Sequence, residues 1–342
     1  MKSMLITGGA GFIGVNSAKY FSERGWTITV VDNLSRRGTE DNLRWLQQQA
    51  DVGFVQADIR DADAMQAALA DLQPEVVLHL AAQVAVTTSV KDPRDDFEIN
   101  ALGTFNVLEA IRQRSPNSFM INASTNKVYG KMEDVEVVER NGRYEYRDLA
   151  KGCSEHQQLD FHSPYGCSKG VADQYVIDYA RIYGLHTTTF RQSCVYGTRQ
   201  FGIEDQGWVA WFTIAHVLDK PITLYGDGKQ IRDVLHVSDL CRAYEAAINN
   251  REAAQGQAFN IGGGPQNTLS LLELLDYLKR FLGKQSPLSW DDWRPGDQPV
   301  FVCDVSKAQA ALGWQPSIGV EDGVQDLAAW VARNPELFAW LK

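Results

Sequence analysis

Met4-Leu5-Ile6-Thr7-Gly8-Gly9-Ala10-Gly11-Phe12-Ile13-Gly14 joins an apolar run to a cluster of glycines and then to an amphipathic pattern. An apolar run followed by glycines and a helical period is the sequence of a strand, a tight turn and a helix. Glycine permits the turn, and the absent side chains let a ligand approach the backbone. The helix start then offers free N–H groups and partial positive charge, which suits a pyrophosphate. Gly8, Gly11 and Gly14, with the backbone of Phe12 and Ile13, are therefore expected to cradle a dinucleotide. Asp32 ends the next strand-like run, near the spacing of about 20 residues at which a carboxylate meets a ribose 2′-OH. It would repel a 2′-phosphate and so favours NAD over NADP. Arg36 and Arg37 stand close enough to hold such a phosphate, and Asp32 could also be a plain strand-terminal turn residue.

Outward from that loop, short β-branched runs alternate with helical patterns. Strands are expected at Met4–Thr7, Thr27–Val31, Gly53–Gln56, Val76–Leu80 and Phe119–Ala123, with helices over Ala62–Leu72 and Phe97–Arg114. The alternation implies an α/β fold, a doubly wound parallel sheet of the Rossmann type. Asp58-Ile59 closes the third strand, where a carboxylate could contact an adenine amino group. The second half is less regular. A strand is expected at Thr187–Arg191 and helices at Asp205–Leu218, Ser238–Asn249 and Leu269–Leu282. The polar stretch Lys131–His162 has a poor period and is expected to be a long loop or flap.

Composition narrows the partners. The 342 residues carry 33 Lys and Arg against 43 Asp and Glu, a net charge of −10, which repels a nucleic-acid backbone. No apolar run approaches the roughly 18 residues of a membrane span. Met1 leads almost directly into a strand, so a cytoplasmic protein without a signal peptide is expected. Five cysteines form no C-x-x-C pair and read as reduced thiols, and six histidines show no ligand spacing, so no catalytic metal is expected.

Ser163-Pro164-Tyr165-Gly166-Cys167-Ser168-Lys169 has the form of a helix start, with Ser163 as N-cap and Pro164 at the first position. Tyr165 and Lys169 then share one face. An ammonium beside a phenol favours the phenolate, which a group with an ordinary pKa of about 10 needs if it is to act as a base near neutrality. Tyr225 and Lys229 have the same spacing, but Gly226 and Gly228 between them mark a turn, where the two side chains need not align.

Several motifs follow in order: Gly8–Gly14, His79-Leu80-Ala81-Ala82, Ser124-Thr125-Asn126-Lys127-Val128-Tyr129-Gly130, Tyr165 with Lys169, and Arg232-Asp233-Val234-Leu235-His236-Val237-Ser238-Asp239. Together, over essentially the whole chain, they resemble the extended short-chain dehydrogenases/reductases that modify nucleotide sugars. The resemblance implies an NAD domain over residues 1–190, with 231–258 returning to it, and a nucleotide-sugar lobe from 191–230 and 259–342. It implies catalytic roles for Thr125, Tyr165 and Lys169, with Ser124 beside them. Gly8, Gly11, Phe12, Ile13, Gly14, Asp32, Asn33, Arg36, Asp58, Ile59, Leu80, Ala81, Gln83 and Asn100, with Tyr165 and Lys169, are expected to hold NAD. Asn126, Lys127, Gln192, Gln200, Gln206, Arg232 and Arg294 are expected to hold the substrate. Arg232 and Arg294, the latter in Trp293-Arg294-Pro295-Gly296-Asp297, match diphosphate-binding positions, with a surface salt bridge as the other reading.

Dehydratases of this family usually carry Asp-Glu where Asn126-Lys127 stand here. That pair, with Tyr196-Gly197-Thr198-Arg199-Gln200-Phe201 and Asp205-Gln206-Gly207-Trp208, is similar to the family's 2-epimerases of CDP-linked sugars. The implied reaction is inversion at sugar C2 through a 2-keto intermediate. A different nucleotide sugar such as CDP-glucose, a 4-epimerase, and a non-catalytic NAD-sensing protein are the alternatives. A nucleotide-sugar substrate and a homo-oligomer are expected, with neither nucleic acid nor membrane as partner.

Overall fold

The computed structural model describes residues 2–294 and 297–341. The outermost residues of the two expected lobes, and Pro295-Gly296 of the Arg294 motif, lie outside the described residues. Seven parallel strands form the main sheet: β1 (Ser3–Thr7), β2 (Thr27–Asp32), β3 (Val52–Gln56), β4 (Val76–His79), β5 (Phe119–Thr125), β6 (Thr187–Gln192) and β7 (Ala258–Ile261). Their order is β7-β6-β5-β4-β1-β2-β3. The order reverses between β1 and β4, where Thr7 pairs with His79, and a crevice opens beyond the carboxyl ends of these two strands. Val76, Val77 and Leu78 are all buried, as expected of strands covered on both faces.

One side of the sheet packs Val15, Ala18 and Phe21 of the first helix (Phe12–Ser22) with Leu240, Tyr244 and Trp314. The other packs Leu69, Val107, Ile111 and Val176. A second lobe has its own core, where Phe212, Leu224, Leu274, Leu278, Leu327 and Trp330 meet. Its helix Leu271–Leu282 begins with a capping box. Ser270 Oγ accepts from Glu273 N at 3.1 Å, and Glu273 Oε2 accepts from Ser270 N at 2.8 Å. Burying each of Leu274, Leu275 and Leu278 of that helix stabilises the lobe by about 1.5–3 kcal/mol.

The chain divides between the lobes differently from the expectation. Helix Val237–Asn249 and β7 belong to the large sheet and its core, but strand Ile231–His236 pairs with Thr268–Ser270, Val300–Phe301 and Cys194–Tyr196 rather than with the large sheet, and its Leu235 and Val234 enter the two cores separately. Ala308, Leu312 and Trp314, expected in the second lobe, pack in the first core.

Three local expectations also need correction. The flap contains an antiparallel hairpin, Val137–Arg140 with Arg143–Tyr146. The helix expected from Asp205 starts at Trp208, because Gly207 has φ +73° and cannot continue a helix backwards. Phe97–Arg114 is not one α-helix; Glu98–Leu102 is a π-helical turn between two α-helical pieces.

Candidate active site

Two cavities meet at Tyr165. One, of about 190 Å³, lies over the glycine loop and is lined by Gly8, Gly11, Phe12, Ile13, Gly14, Arg36, Leu80, Ser124, Tyr165 and Lys169. The other, of about 310 Å³, is lined by Thr125, Asn126, Lys127 and Tyr165 from the sheet side. Phe212, Thr223, Tyr225 and Leu271 line it from the second lobe, with Arg232 and Arg294 between.

The first cavity fits a dinucleotide. Gly8 has φ +67°, and a Cβ there would lie 2.7 Å from Ala81 N; one on Gly14 would lie 2.4 Å from Gly8 O. Only glycine lets the turn and helix close this tightly. Gly11 caps the first helix without any side-chain hydrogen bond, so the first N–H groups stay available at the cavity. Asp32 Oδ2 accepts from Ala10 N at 3.0 Å and Oδ1 from Leu34 N at 2.8 Å, tying the loop to β2. Burial raises its pKa while these two bonds oppose the rise.

The catalytic candidates sit on β5 and on helix Ser163–Tyr183. The N-cap position falls on His162, one residue before the expected Ser163; Ser163 is the first residue of the helix, with φ +67°, and its Oγ accepts from Gly166 N at 3.2 Å. Tyr165 N donates to Ser89 Oγ at 3.1 Å, which fixes the helix start against the neighbouring Val86–Lys91 helix. Tyr165, Lys169 and Thr125 are all buried. Burial pushes the Tyr165 phenol up to about 12, while the Thr125 hydroxyl, and then the Arg36 charge, act to lower it. Lys169 Nζ donates to Ala123 O at 2.6 Å, and burial lowers its pKa to about 8. The group lowering the phenol pKa here is thus Thr125 more than the lysine.

Ser124 lines the loop cavity, but its hydroxyl is committed to Asp173. Its Oγ donates to Asp173 Oδ2 at 2.7 Å, and Asp173 also holds Arg191 through bonds of 3.1 and 2.9 Å. Asn100 and Gln83 line neither cavity. Asn100 Nδ2 bonds Gln83 O at 3.0 Å and Ser168 Oγ at 3.1 Å, while Gln83 N donates to Asn100 Oδ1 at 2.9 Å. Asp58 is held by Arg60, and accepts from Asn33 Nδ2 at 2.9 Å; the Arg60 bonds lower its pKa to about 2. Asp32, Asn33, Asp58, Ile59 and Ala81 do not line the loop cavity either.

The expected substrate residues divide. Asn126, Lys127, Gln206, Arg232 and Arg294 line the larger cavity, and Gln192 and Gln200 line the cofactor-sized one. Arg232 pairs with Asp297 Oδ1 at 2.5 Å and Arg294 with Asp205 Oδ1 at 3.2 Å, so both arginines face the cavity with a carboxylate at hand. Lys127 Nζ is 3.3 Å from Gln298 Oε1; burial and then the Arg232 charge lower its pKa. Gln206 lines both cavities and accepts from Arg36. Sequence reasoning missed Glu204, Tyr225, Trp208 and Asp297 as cavity residues. Tyr225, expected in a turn, ends strand Ile222–Tyr225; its hydroxyl bonds Glu204, while Lys229 bonds Glu139 at 2.8 Å.

Comparison with known proteins agrees with this architecture. The family model described as GDP-mannose 4,6 dehydratase matches residues 5–327. The chain is 47% identical over 334 residues to CDP-paratose 2-epimerase of Salmonella typhi, covering 96% of this chain and 99% of that one. The crystal structure of UDP-glucose 4-epimerase from Thermotoga maritima with UDP-glucose matches with a TM-score of 0.85 and 31% identity, covering 97% of this chain and 99% of that one. The Thermus thermophilus UDP-glucose 4-epimerase complex with NAD matches with a TM-score of 0.79 and 31% identity, over 96% and 98%. The chain belongs to the GDP-mannose 4,6 dehydratase family, and with it to the extended short-chain dehydrogenases/reductases.

Proposed function

We propose that this protein is an NAD-dependent isomerase that inverts C2 of a CDP-linked sugar, converting CDP-paratose to CDP-tyvelose. The observation that carries the reading is that one buried phenol, Tyr165, lines both the glycine-loop cavity and the arginine-lined cavity. The choice of C2 and of CDP is supported by the 47% identity to the Salmonella typhi enzyme and by Asn126-Lys127.

Bound NAD supplies a two-electron acceptor and donor beside the sugar. Tyr165 takes the proton of the 2-hydroxyl as the 2-keto sugar forms, and returns it when the alcohol is regenerated. Thr125 hydrogen-bonds the same oxygen. Lys169, held on the Ala123 carbonyl, supplies positive charge to the ribose side of the phenol. Arg232 and Arg294 hold the diphosphate while the keto sugar presents its other face, and charge-assisted contacts of this type are strong. Gly8, Gly11 and Gly14 with the Phe12 and Ile13 backbone hold the pyrophosphate of NAD, and the Asp32 carboxylate disfavours a 2′-phosphate.

The test is reaction of the purified protein with CDP-paratose in D₂O, read by NMR at C2. Retained protium with inversion at C2 supports the reading. Full deuterium at C2, or inversion at C4 alone, refutes it. Heat-released nucleotide should be NAD; predominant NADP would refute the role of Asp32.

A homo-oligomer belongs to the same proposal. Phe97, Leu102, Phe105, Tyr175, Ile182 and Tyr183 are large apolar side chains left exposed around helices Gly103–Arg114 and Ser163–Tyr183. An apolar surface of this kind suits self-association. Light scattering on Phe105→Glu, which should be smaller in mass than the parent, checks it. Among the described residues no helix is long and apolar enough to cross a membrane.

A further inference from the structure

The arginine-lined cavity contains a carboxylate that the reaction described above does not use. Ile203 and Gln206 exchange backbone hydrogen bonds of 3.1 and 2.9 Å, which pinches the chain into a tight turn with Glu204 and Asp205 at its tip. Both line the cavity. Asp205 is paired with Arg294. Glu204 is not: Arg294 donates to its backbone oxygen at 2.9 Å, and its side chain receives the Tyr225 hydroxyl at 3.3 Å. Among the described residues it takes part in no ion pair.

An unneutralised carboxylate is an odd neighbour for a dianionic diphosphate, because it repels the ligand that Arg232 and Arg294 attract. It becomes favourable only where the ligand itself brings an N–H or O–H donor to that spot. The surroundings say which part of the ligand lies there. Thr125 and Tyr165, which act on the sugar, stand on the sheet side, and the two arginines follow. Glu204 lies next to the second-lobe wall, where the Arg294 guanidinium covers the Tyr225 ring at 4.0 Å and Phe212 and Leu271 complete an apolar surface. A nucleoside diphosphate sugar laid with its sugar at Tyr165 and its phosphates at the arginines puts its base on that wall. Flat aromatic and guanidinium surfaces suit a base, and a carboxylate accepts well from an exocyclic amino group.

We propose that Glu204 reads the nucleobase, accepting the 4-amino group of cytosine and disfavouring uracil, whose 4-oxo group would face a negative oxygen. Tyr225 is the positioning residue that orients the carboxylate. The inference rests on the CDP reading given above and assigns the residue that enforces it.

The experiment titrates CDP and UDP separately into the NAD-loaded protein by calorimetry, for the parent, Glu204→Gln and Glu204→Ala. The parent should bind CDP on the order of tenfold tighter than UDP, the scale of one well-placed amino–carboxylate pair. Glu204→Ala should bring the ratio close to one, chiefly by losing CDP affinity. Glu204→Gln should also flatten it, since an amide can serve either base. A parental preference for CDP that survives in both variants overturns the role of Glu204 and leaves the CDP reading standing. Equal weakening of both ligands also overturns it, because that is the mark of a contact to the ribose, which both share. A parent with no preference for CDP overturns the CDP reading, and this assignment falls with it.

Discussion

Asp173→Asn changes one oxygen for an amide nitrogen and removes one charge from beneath the site. Asp173 accepts two bonds from Arg191, at 3.1 and 2.9 Å, and one from Ser124 at 2.7 Å. The side chains of the pair are 0% and 5% exposed. Arg191 has one further partner, the neutral Tyr129 hydroxyl at 3.1 Å. Removing one partner of a buried ion pair leaves the other charge uncompensated and costs about 3–5 kcal/mol. That is a large share of the 5–15 kcal/mol typical of a folded protein. Urea unfolding should show the midpoint falling with little change in slope. The second effect is chemical. Asp173 is the principal charge that raises the Lys169 pKa against the burial that lowers it to about 8. Without that charge the lysine pKa falls further, so its ammonium form is lost at lower pH and the alkaline limb of kcat/KM moves down. A stability loss below about 1 kcal/mol would refute the account of the pair. An unmoved alkaline limb would refute the link to Lys169.

Other outcomes follow from the same geometry. Tyr165→Phe should lower kcat on the order of 10²–10⁴-fold while NAD stays bound, and Tyr225→Phe should keep substantial turnover; equal losses in the two would remove Tyr165 from its role. Arg232→Ala and Arg294→Ala should raise KM more than they lower kcat, and steady-state kinetics with an unchanged KM in both would take them off the diphosphate. His79, buried between Thr7 and Thr104, has its pKa lowered to about 3 by burial and then by Lys169. Folding therefore excludes a proton from it. Its stabilisation is complete above the unfolded value near 6.5 and is lost as pH falls towards 3, with a ceiling of about 5 kcal/mol. His79→Gln should flatten the fall in urea midpoint over that range; an unaltered pH profile would refute the assignment.

The first half of the fold is legible because its strands are short β-branched runs, fully buried in β4 and nearly so in β1 and β5, set between helical patterns. Ala62–Leu72 was found to the residue, and β1 to β5 within a residue or two at each end. The flap shows how a signal can be passed over. Its hairpin turns at Asn141-Gly142, with φ +53° and +76°, the pair that a two-residue turn with both central angles positive selects. The first strand, Val137-Val138-Glu139-Arg140, has no alternation, and Arg143-Tyr144-Glu145-Tyr146 alternates over only four residues, too short a run to stand out in a polar stretch. Glu204 is not legible as a site residue, because the helical pattern over Asp205–Leu218 hides the turn that presents it, which comes from φ at Gly207 and from the Ile203–Gln206 backbone bonds. The Tyr165–Lys169 face is legible from the helix start at Ser163-Pro164 taken with the spacing, since Tyr225 and Lys229 share the spacing without that context. The bond from Lys169 to Ala123 is not, because it depends on how closely β5 passes the helix.

The late segments that complete the large sheet also set when it can form. Phe190, in the last of the first six strands, packs against Tyr244 and Phe259, and its core cluster also includes Leu312 and Trp314. On the ribosome, the dinucleotide domain therefore cannot close as its own N-terminal half emerges. Until β7 is made, β6 is an open parallel edge, and until Trp314 has left the exit tunnel a tract of aromatic core has no cover. Domains usually fold in the order of synthesis, N-terminal first. Here the domain that starts at the glycine loop must wait for residues as late as Leu312 and Trp314. A fragment ending near residue 190 should be aggregation-prone rather than a small NAD-binding protein, and the nascent chain should be a client for holding chaperones until Trp314 has emerged.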